Sequence, residues 1–281
     1  LNPTNNEAGA MLSDIYRTQG KWKENLDFLT DVTQQTRAIP GRISKNNSNN
    51  WALLRLGMHY LACENFSLAI QNLQSAIRSD SYNINAWECL ADAYAARGSY
   101  NSALKAYDKI LKLRNDFKQI STETVEDSLY AELQIATIKH KLGHFSDAIL
   151  NLKEILQRAP NYVPAVKILG ESMLAQAKDF LDQGLSRNAL ENCQNALTYL
   201  TSAVKTSTSN LSCLWTLMGE TCLMIHPISK TTIDSFGFKI PNELLPLEQK
   251  SITSDDGYQM NVKKSSILSL ASNCYIRSLQ I

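Results

Sequence analysis

The stretch that decides the fold reads WECLADAYAARGSYNSALKAYDKI, residues 87–110. Its apolar residues fall at helical spacing on one face before a glycine and on one face after it: Trp87, Leu90, Ala91 and Tyr94, then Tyr100, Ala103, Ala106, Tyr107 and Ile110. Gly98 separates the two runs, and glycine ends a helix in the left-handed conformation at little cost. The small side chains of Ala91 and Ala103 let two helices approach closely. The stretch therefore predicts a helical hairpin.

The same arrangement recurs along the chain, which distinguishes a repeat from a chance hairpin. A matching set lies upstream at a constant offset: Leu53, Leu56, Gly57, Tyr60, Phe66, Ala69, Leu73 and Ala76. A turn and second helix recur downstream: Gly143, Phe145, Ala148, Leu152, Ile155 and Pro160. Further first helices begin at Val166 and Trp215, and an eroded copy lies near Leu12 and Tyr16. The chain is therefore an array of hairpins.

This alternation of large and small residues, with a period of about 34, resembles the tetratricopeptide repeat. The resemblance implies an all-α solenoid, a right-handed superhelix of helical hairpins in which each repeat packs on its neighbours. We expect Gly98 and Gly143 to occupy equivalent turns with positive φ. We expect Trp87 and Tyr94 to anchor one repeat against the next.

The pattern divides the chain into repeats and interruptions. We predict a degenerate repeat at 1–43, a polar linker at 44–50, repeats at 51–84 and 85–118, an insertion at 119–127, a repeat at 128–162, a repeat-like hairpin with extended helices at 163–210, and another at 211–281 interrupted by a loop at about 226–264. Such a long loop is either disordered or docked on a surface. The chain opens within a repeat and stops inside a helical pattern, so we expect it to be a piece of a longer protein.

Composition argues against two classes of partner. The formal net charge is +1, so the chain lacks the basic excess with which nucleic-acid-binding proteins neutralise phosphates. No apolar run has the length of a membrane span. We therefore expect no direct nucleic-acid contact and no membrane contact.

The cysteines and histidines do not predict a site. The six cysteines contain no C-x-x-C pair, and reduced thiols on helical faces fit a cytosolic or nuclear compartment. Cys213, Cys222 and His226 form the nearest approach to a ligand cluster, for which we favour helix packing over a metal. The four histidines are His59, His140, His144 and His226, and we interpret each as structural or solvated. We predict no metal site and no cofactor.

No catalytic motif is present in the sequence. It contains no G-x-S-x-G, no glycine-rich phosphate loop and no H-E-x-x-H. Glu88 and Asp92 form a carboxylate pair at i, i+4, which a partner-binding or solvated face explains better than acid–base catalysis. The sequence therefore predicts that this chain is not an enzyme and has no catalytic residue.

The tetratricopeptide register does predict a partner-binding surface. In that family, positions 2, 5, 9 and 12 of each first helix line the inner groove. Carried over by register, the candidate partner-binding residues are Trp51, Leu54, Met58, Leu61, Glu88, Asp92, Tyr130 and Leu133. The Lys and Asn with which some family members grip a C-terminal carboxylate are absent. An exposed apolar row such as 51–61 marks an interface, unless another turn of the same superhelix fills the groove.

Several longer segments resemble a narrower family. They are residues 87–94 (WECLADAY), 162–171 (YVPAVKILGE), 212–220 (SCLWTLMGE) and 274–279 (CYIRSL), and they are similar to the large tetratricopeptide subunits of superkiller complexes. This resemblance implies a cytoplasmic, or also nuclear, scaffold that holds a DExH-type RNA helicase and β-propeller subunits. Through that complex it implies contact with the ribosome and with the exosome that degrades mRNA.

Two alternatives remain open from the sequence. The chain could be part of another large tetratricopeptide scaffold or adaptor that binds peptide segments. It could also be the repeat arm of a transferase whose catalytic domain lies elsewhere.

Overall fold

The structure is a computed structural model that describes residues 6–37, 50–118, 126–206, 211–244, 258–259 and 264–280. In this part the fold is all-α and built of helical hairpins, as predicted. The helices are α1 (Asn6–Thr18), α2 (Trp22–Arg37), α3 (Asn50–Ala62), α4 (Phe66–Ser79), α5 (Ile84–Ala96), α6 (Tyr100–Lys118), α7 (Glu126–Lys141), α8 (Phe145–Arg158), α9 (Val163–Asp182), α10 (Ser186–Thr206), α11 (Ser212–Ile225), α12 (Lys230–Phe236) and α13 (Lys264–Gln280). Two short strands, β1 (Ile240–Pro241) and β2 (Tyr258–Gln259), pair antiparallel.

Residues 1–131 and 132–281 form two compact units. In the first unit each helix from α1 to α6 packs on the next. Asn65 and Asn83 begin α4 and α5, because their side-chain oxygens accept hydrogen bonds from the first-turn amides of Leu68 and Ala86. The core between these two helices is formed by buried residues: Ala69, Ile70, Leu73, Ile77, Ala86, Leu90 and Ala93.

The second unit contains the longest helices. α9 and α10 have 20 and 21 residues, against 14 in α8. α11 packs against α13, where the Tyr275 ring lies so close to Gly219 that a Cβ there would come within 3.1 Å of it. α12 and β1 pack on α10, and the Lys239 amide donates to Gln194 Oε1 at 2.8 Å. The sequence pattern dissolves at 226–264 and did not predict α12.

Tight turns join the helices within the first five hairpins, from α1–α2 to α9–α10. Gly98 and Gly143 have φ of 82° and 80°, which confirms the prediction of positive φ at both. Glu64 occupies the equivalent turn between α3 and α4 with φ of 57°, and no other non-glycine residue of the described chain has positive φ. An L-residue is disfavoured in this region, so the α3–α4 turn is strained.

Trp87 and Tyr94 lie where one repeat meets the next. Both are half-buried and pack against the core cluster between α4 and α5. The Trp87 indole donates to the Ser81 carbonyl at 3.0 Å, and Tyr94 Oη accepts from Gln74 Nε2 at 2.8 Å. Trp87 and Tyr94 thus join the repeats with their polar atoms satisfied.

Some predicted features fall outside the described residues. They include most of the 44–50 linker and residues 119–125 of the predicted insertion, whose last two residues belong to α7. None of the helices that the structure describes is both long enough and apolar enough to cross a membrane.

Candidate partner-binding surface

The apolar row of α3 is partly exposed. Leu54 and Leu61 are half-buried because they pack against the core cluster of α4 and α5. Met58 remains 37% exposed. Of the four predicted residues of this row, Met58 is therefore the side chain most available to a partner.

Trp51 is largely occupied within the chain. Its ring lies 6.4 Å from the Phe28 ring of α2. Its indole also faces Gly9 of α1, where an added Cβ would come within 2.6 Å of Trp51 Cζ2. The preceding helices α1 and α2 thus cover much of a residue that the register assigned to the groove.

The corresponding face of α5 is polar and built on a buried ion pair. Arg114 Nη2 of α6 donates to Glu88 Oε1 at 2.6 Å, although Arg114 is only 8% exposed. Its Nη1 atom is buried without a hydrogen-bond partner. A buried guanidinium requires a carboxylate to offset its desolvation, so the charge of Glu88 is used to hold α6.

Asp92 lies one turn further along α5 and joins three helices. Its Oδ1 atom accepts hydrogen bonds from the hydroxyls of Tyr107 in α6 and Tyr130 in α7, the latter at 3.0 Å. Burial and the Asp92 carboxylate raise the pKa of both phenols. Burial, Asp92 and Glu88 also raise the pKa of the Cys89 thiol, to about 11. Both tyrosines therefore remain neutral donors, and Cys89 remains a thiol.

The free side of this cluster can accept another hydrogen bond. Asp92 Oδ2 receives none from the described residues, and Tyr130 is 39% exposed. α3 packs directly against α5, so Met58 and Asp92, which occupy the same register position, lie on neighbouring helices. We call the surface formed by Met58 of α3 and by Glu88 and Asp92 of α5 the inner face. It combines an apolar side chain with the second oxygen of Asp92, which accepts no hydrogen bond from the described residues. Such a face suits a peptide that has both an apolar and a cationic or N–H group.

Leu133 does not belong to an accessible surface. The register assigned it to the groove, but the structure buries it to 6% exposure. A buried leucine cannot contact a partner in this conformation, so its assignment as a partner-binding residue is corrected.

Two histidines are held by packing. His59 is buried beside the Tyr60 and Trp22 rings, and this burial lowers its pKa. His140 Nδ1 lies 3.0 Å from Ser172 Oγ. The residues described include no group of three His, Cys, Asp or Glu side chains arranged to hold a metal ion.

Sequence reasoning missed Arg114 and Tyr107 of α6, which hold the carboxylates of Glu88 and Asp92. A signal for Arg114 existed, because it follows the buried Ile110 by four residues and so lies on the buried face of α6. A charged residue at such a position predicts a carboxylate partner on a neighbouring helix. Identifying that partner as Glu88 requires the hairpin geometry.

Comparison with known proteins agrees with this fold. The sequence model of the tetratricopeptide repeat family matches residues 54–116. The chain is 32% identical to superkiller complex protein 3 of Homo sapiens over 283 aligned residues, which cover all of this chain and 16% of that protein. It has the same identity and coverages with tetratricopeptide repeat protein 37 of Xenopus laevis. The chain thus spans about one sixth of the length of these relatives.

Solved structures are similar in fold alone. A crystal structure of PilW, a type IV pilus biogenesis factor, has a TM-score of 0.54 at 15% identity and covers 82% of this chain and 90% of its own. At this identity the match concerns the arrangement of helices and carries no functional information.

Proposed function

The chain is a tetratricopeptide-repeat protein homologous, over its whole length, to a segment of superkiller complex protein 3, and from this we propose that it is a non-catalytic scaffold segment of a superkiller-type complex. In this role it binds protein segments and aligns them, and it carries out no chemical step. We propose a cytoplasmic location for the assembly.

The observation that carries the proposal is the inner face of α3 and α5. Met58 exposes more than a third of its surface on α3, and on the neighbouring helix α5 the second oxygen of Asp92 accepts no hydrogen bond from the described residues. Methionine adapts its shape to different apolar partners, and the tyrosine hydroxyls fix the direction of the carboxylate. These features suit a helix or extended peptide from another subunit.

The finer assignment follows from the resemblance to the superkiller family. We propose that the partners are the DExH-type RNA helicase and the β-propeller subunits, and that the assembled complex delivers mRNA to the cytoplasmic exosome. RNA would then contact other subunits, because this chain has a net charge of only +1.

A charge placed on the inner face tests the proposal. Met58→Asp introduces a carboxylate at the most exposed of the four apolar positions of α3, and Leu68→Asp is a matched control because Leu68 of α4 is also 37% exposed. Leu54 is unsuitable for such a test because it packs against the core cluster. We expect Met58→Asp to reduce recovery of the helicase and β-propeller subunits in co-purification from cell extract by about tenfold, equivalent to about 1.4 kcal/mol.

The two variants should have similar melting temperatures, measured by circular dichroism, so that a difference in recovery reports on binding. Equal recovery with both variants would remove the inner face as a binding site. Tight, salt-sensitive binding of RNA by the isolated chain would contradict the scaffold role without RNA contact.

A further inference from the structure

A second surface of the first unit lies between the second helices of two adjacent hairpins. It is a cleft of about 610 Å³ whose walls are α4 and α6 and whose floor is α5. Trp87 and Leu90 contribute to the floor, and Ile77 and Ala106 to the walls. None of these residues belongs to the inner face, so the cleft is a separate feature.

The two polar atoms on the floor of the cleft each have a hydrogen-bond partner in the chain. The Trp87 indole N–H is bonded to the Ser81 carbonyl, and the Tyr94 hydroxyl accepts from Gln74. The accessible floor therefore presents ring and aliphatic surface. An occupant would bind there through an apolar side chain.

The rim of the cleft has a single sign of charge. Arg78 stands on one wall, and Lys105 and Lys109 stand one helical turn apart on the other. No aspartate or glutamate lines the cleft; Asp108 is exposed on α6 beside Lys109. Within the described part of the chain none of the three cations forms an ion pair, although Arg78 donates to Ser75 Oγ. Three like charges around an apolar floor make the potential at the rim locally positive.

The geometry points to a docking site for an acidic peptide segment of a partner protein, with one aromatic or large aliphatic side chain inserted over Trp87 between carboxylates that face Arg78, Lys105 and Lys109. The positive rim favours a peptide with acidic side chains, and the apolar floor favours an aromatic or large aliphatic side chain between them. A nucleic acid fits less well, because three cations at the rim of one cleft do not form the extended basic track that a phosphate backbone follows. The interaction is additional to binding at the inner face.

The test uses the whole chain and a defined probe. The probe is the peptide acetyl-Asp-Glu-Phe-Asp-Glu-amide, and binding is followed by NMR through the Trp87 indole N–H signal, assigned with Trp87→Phe. We expect a saturable shift that weakens with added salt. The peptides acetyl-Lys-Lys-Phe-Lys-Lys-amide and acetyl-Asp-Glu-Ser-Asp-Glu-amide should shift the signal little, since one has the wrong charge and the other lacks the anchor.

Two kinds of variant locate the site. Lys105→Glu with Lys109→Glu should raise the Kd for the acidic peptide about tenfold or more, equivalent to about 1.4 kcal/mol. Lys21→Glu with Lys23→Glu changes the net charge equally at exposed positions near the start of α2, and should leave the Kd within about twofold. Ser102→Phe, an exposed position on the cleft wall, should block binding without a change in charge.

The proposal is overturned by any of three results. The basic peptide binding as tightly as the acidic one would exclude charge selection. Equal losses in the two charge-reversed variants would show a long-range effect of net charge. Saturation of the Trp87 indole shift by oligouridylate RNA at a lower concentration than by the acidic peptide would assign the cleft to nucleic acid. None of these results depends on the Met58 experiment, so the two proposals fail separately.

Discussion

The hairpin of α3 and α4 and the hairpin of α5 and α6 pack alike and present different chemistry. The buried residues Leu56, Ala69 and Leu73 of the first correspond to Leu90, Ala103 and Tyr107 of the second. On the inner face, however, Leu54 and Met58 correspond to Glu88 and Asp92, and in the turn Glu64 corresponds to Gly98. The shared packing positions therefore define the fold, while the inner positions differ in chemistry from one hairpin to the next, and in the second hairpin they also hold the neighbouring helices.

The largest effect on stability should come from a packing position that the two hairpins share, one residue before the first of the inner positions that differ. Trp87 and Leu53 occupy it in the two hairpins, and both are half-buried. We expect Trp87→Ala to lower the free energy of unfolding by about 3 kcal/mol and Leu53→Ala by about 2 kcal/mol. Urea denaturation followed by circular dichroism measures both. A loss below about 1 kcal/mol for Trp87→Ala would mean that the two hairpins are not joined at this position.

Converting the inner face of one hairpin into that of the other should cost less. Glu88→Leu introduces the chemistry of Leu54 but leaves the guanidinium of Arg114 buried without this carboxylate. We expect a loss of about 2 kcal/mol, a value reduced because the Glu88 side chain is 22% exposed. The double variant Glu88→Leu with Arg114→Leu should recover most of it, because an apolar pair replaces a buried ion pair at little cost.

Denaturation of Glu88→Leu, of Arg114→Leu and of the double variant forms a double-mutant cycle with the native chain. Additive losses would show that Glu88 and Arg114 contribute independently, in which case the ion pair is not what distinguishes the second hairpin.

Exchanging the turn residues should have an effect of about 1 kcal/mol in opposite directions. Glu64→Gly relieves the left-handed backbone of an L-residue and should stabilise the chain by about 0.5–1 kcal/mol. Gly98→Glu introduces that strain at φ of 82° and should destabilise it by about 1 kcal/mol. Thermal melts of both variants give the comparison. A destabilising Glu64→Gly would indicate that the Glu64 side chain contributes more than its backbone costs.

The smallest effect concerns pH. Burial and Asp92 raise the pKa of Tyr130 in the folded chain above its ordinary value near 10. Above about pH 10 the unfolded chain therefore loses a proton that the folded chain retains, and the free energy of unfolding falls as pH rises. Tyr130→Phe should make this alkaline fall shallower and leave the pH dependence of the free energy of unfolding unchanged below pH 9, as measured by urea denaturation at several pH values. The corresponding face of α3 is apolar and has no such cluster. An unchanged alkaline slope in Tyr130→Phe would mean that Tyr130 is not linked to Asp92 in the folded chain.

The sequence predicts the hairpins well because packing positions are periodic. Gly98 and Gly143 could be identified as turn residues because each precedes an apposed alanine by five positions, Ala103 or Ala148. Contacts between distant segments left a weaker signal. The ion pair of Glu88 joins residues 26 positions apart, and Leu133 is buried although its register position belongs to the groove in this family.

The short helix α12 illustrates a second reason for failure. With seven residues it is too short to show a helical period, and its one buried side chain, Ile233, resembles a scattered apolar residue in a loop. Its place against α10 comes from tertiary packing. The cleft cations Lys105 and Lys109 are likewise visible as an i, i+4 pair, but only the adjacent Arg78 and the apolar floor distinguish them from an ordinary solvated face.

The pairing of α11 with α13 has a consequence for the order in which the chain folds. α5 and α6 are separated by residues 97–99, whereas α11 and α13 are separated by residues 226–263. Closing a connection roughly ten times longer costs about 2 kcal/mol more chain entropy. Hairpins with short turns can therefore nucleate from local contacts, while α13 reaches its partner only after a long-range search. Folding of the second unit is expected to finish at this pair, and its contacts form mostly after the rate-limiting step.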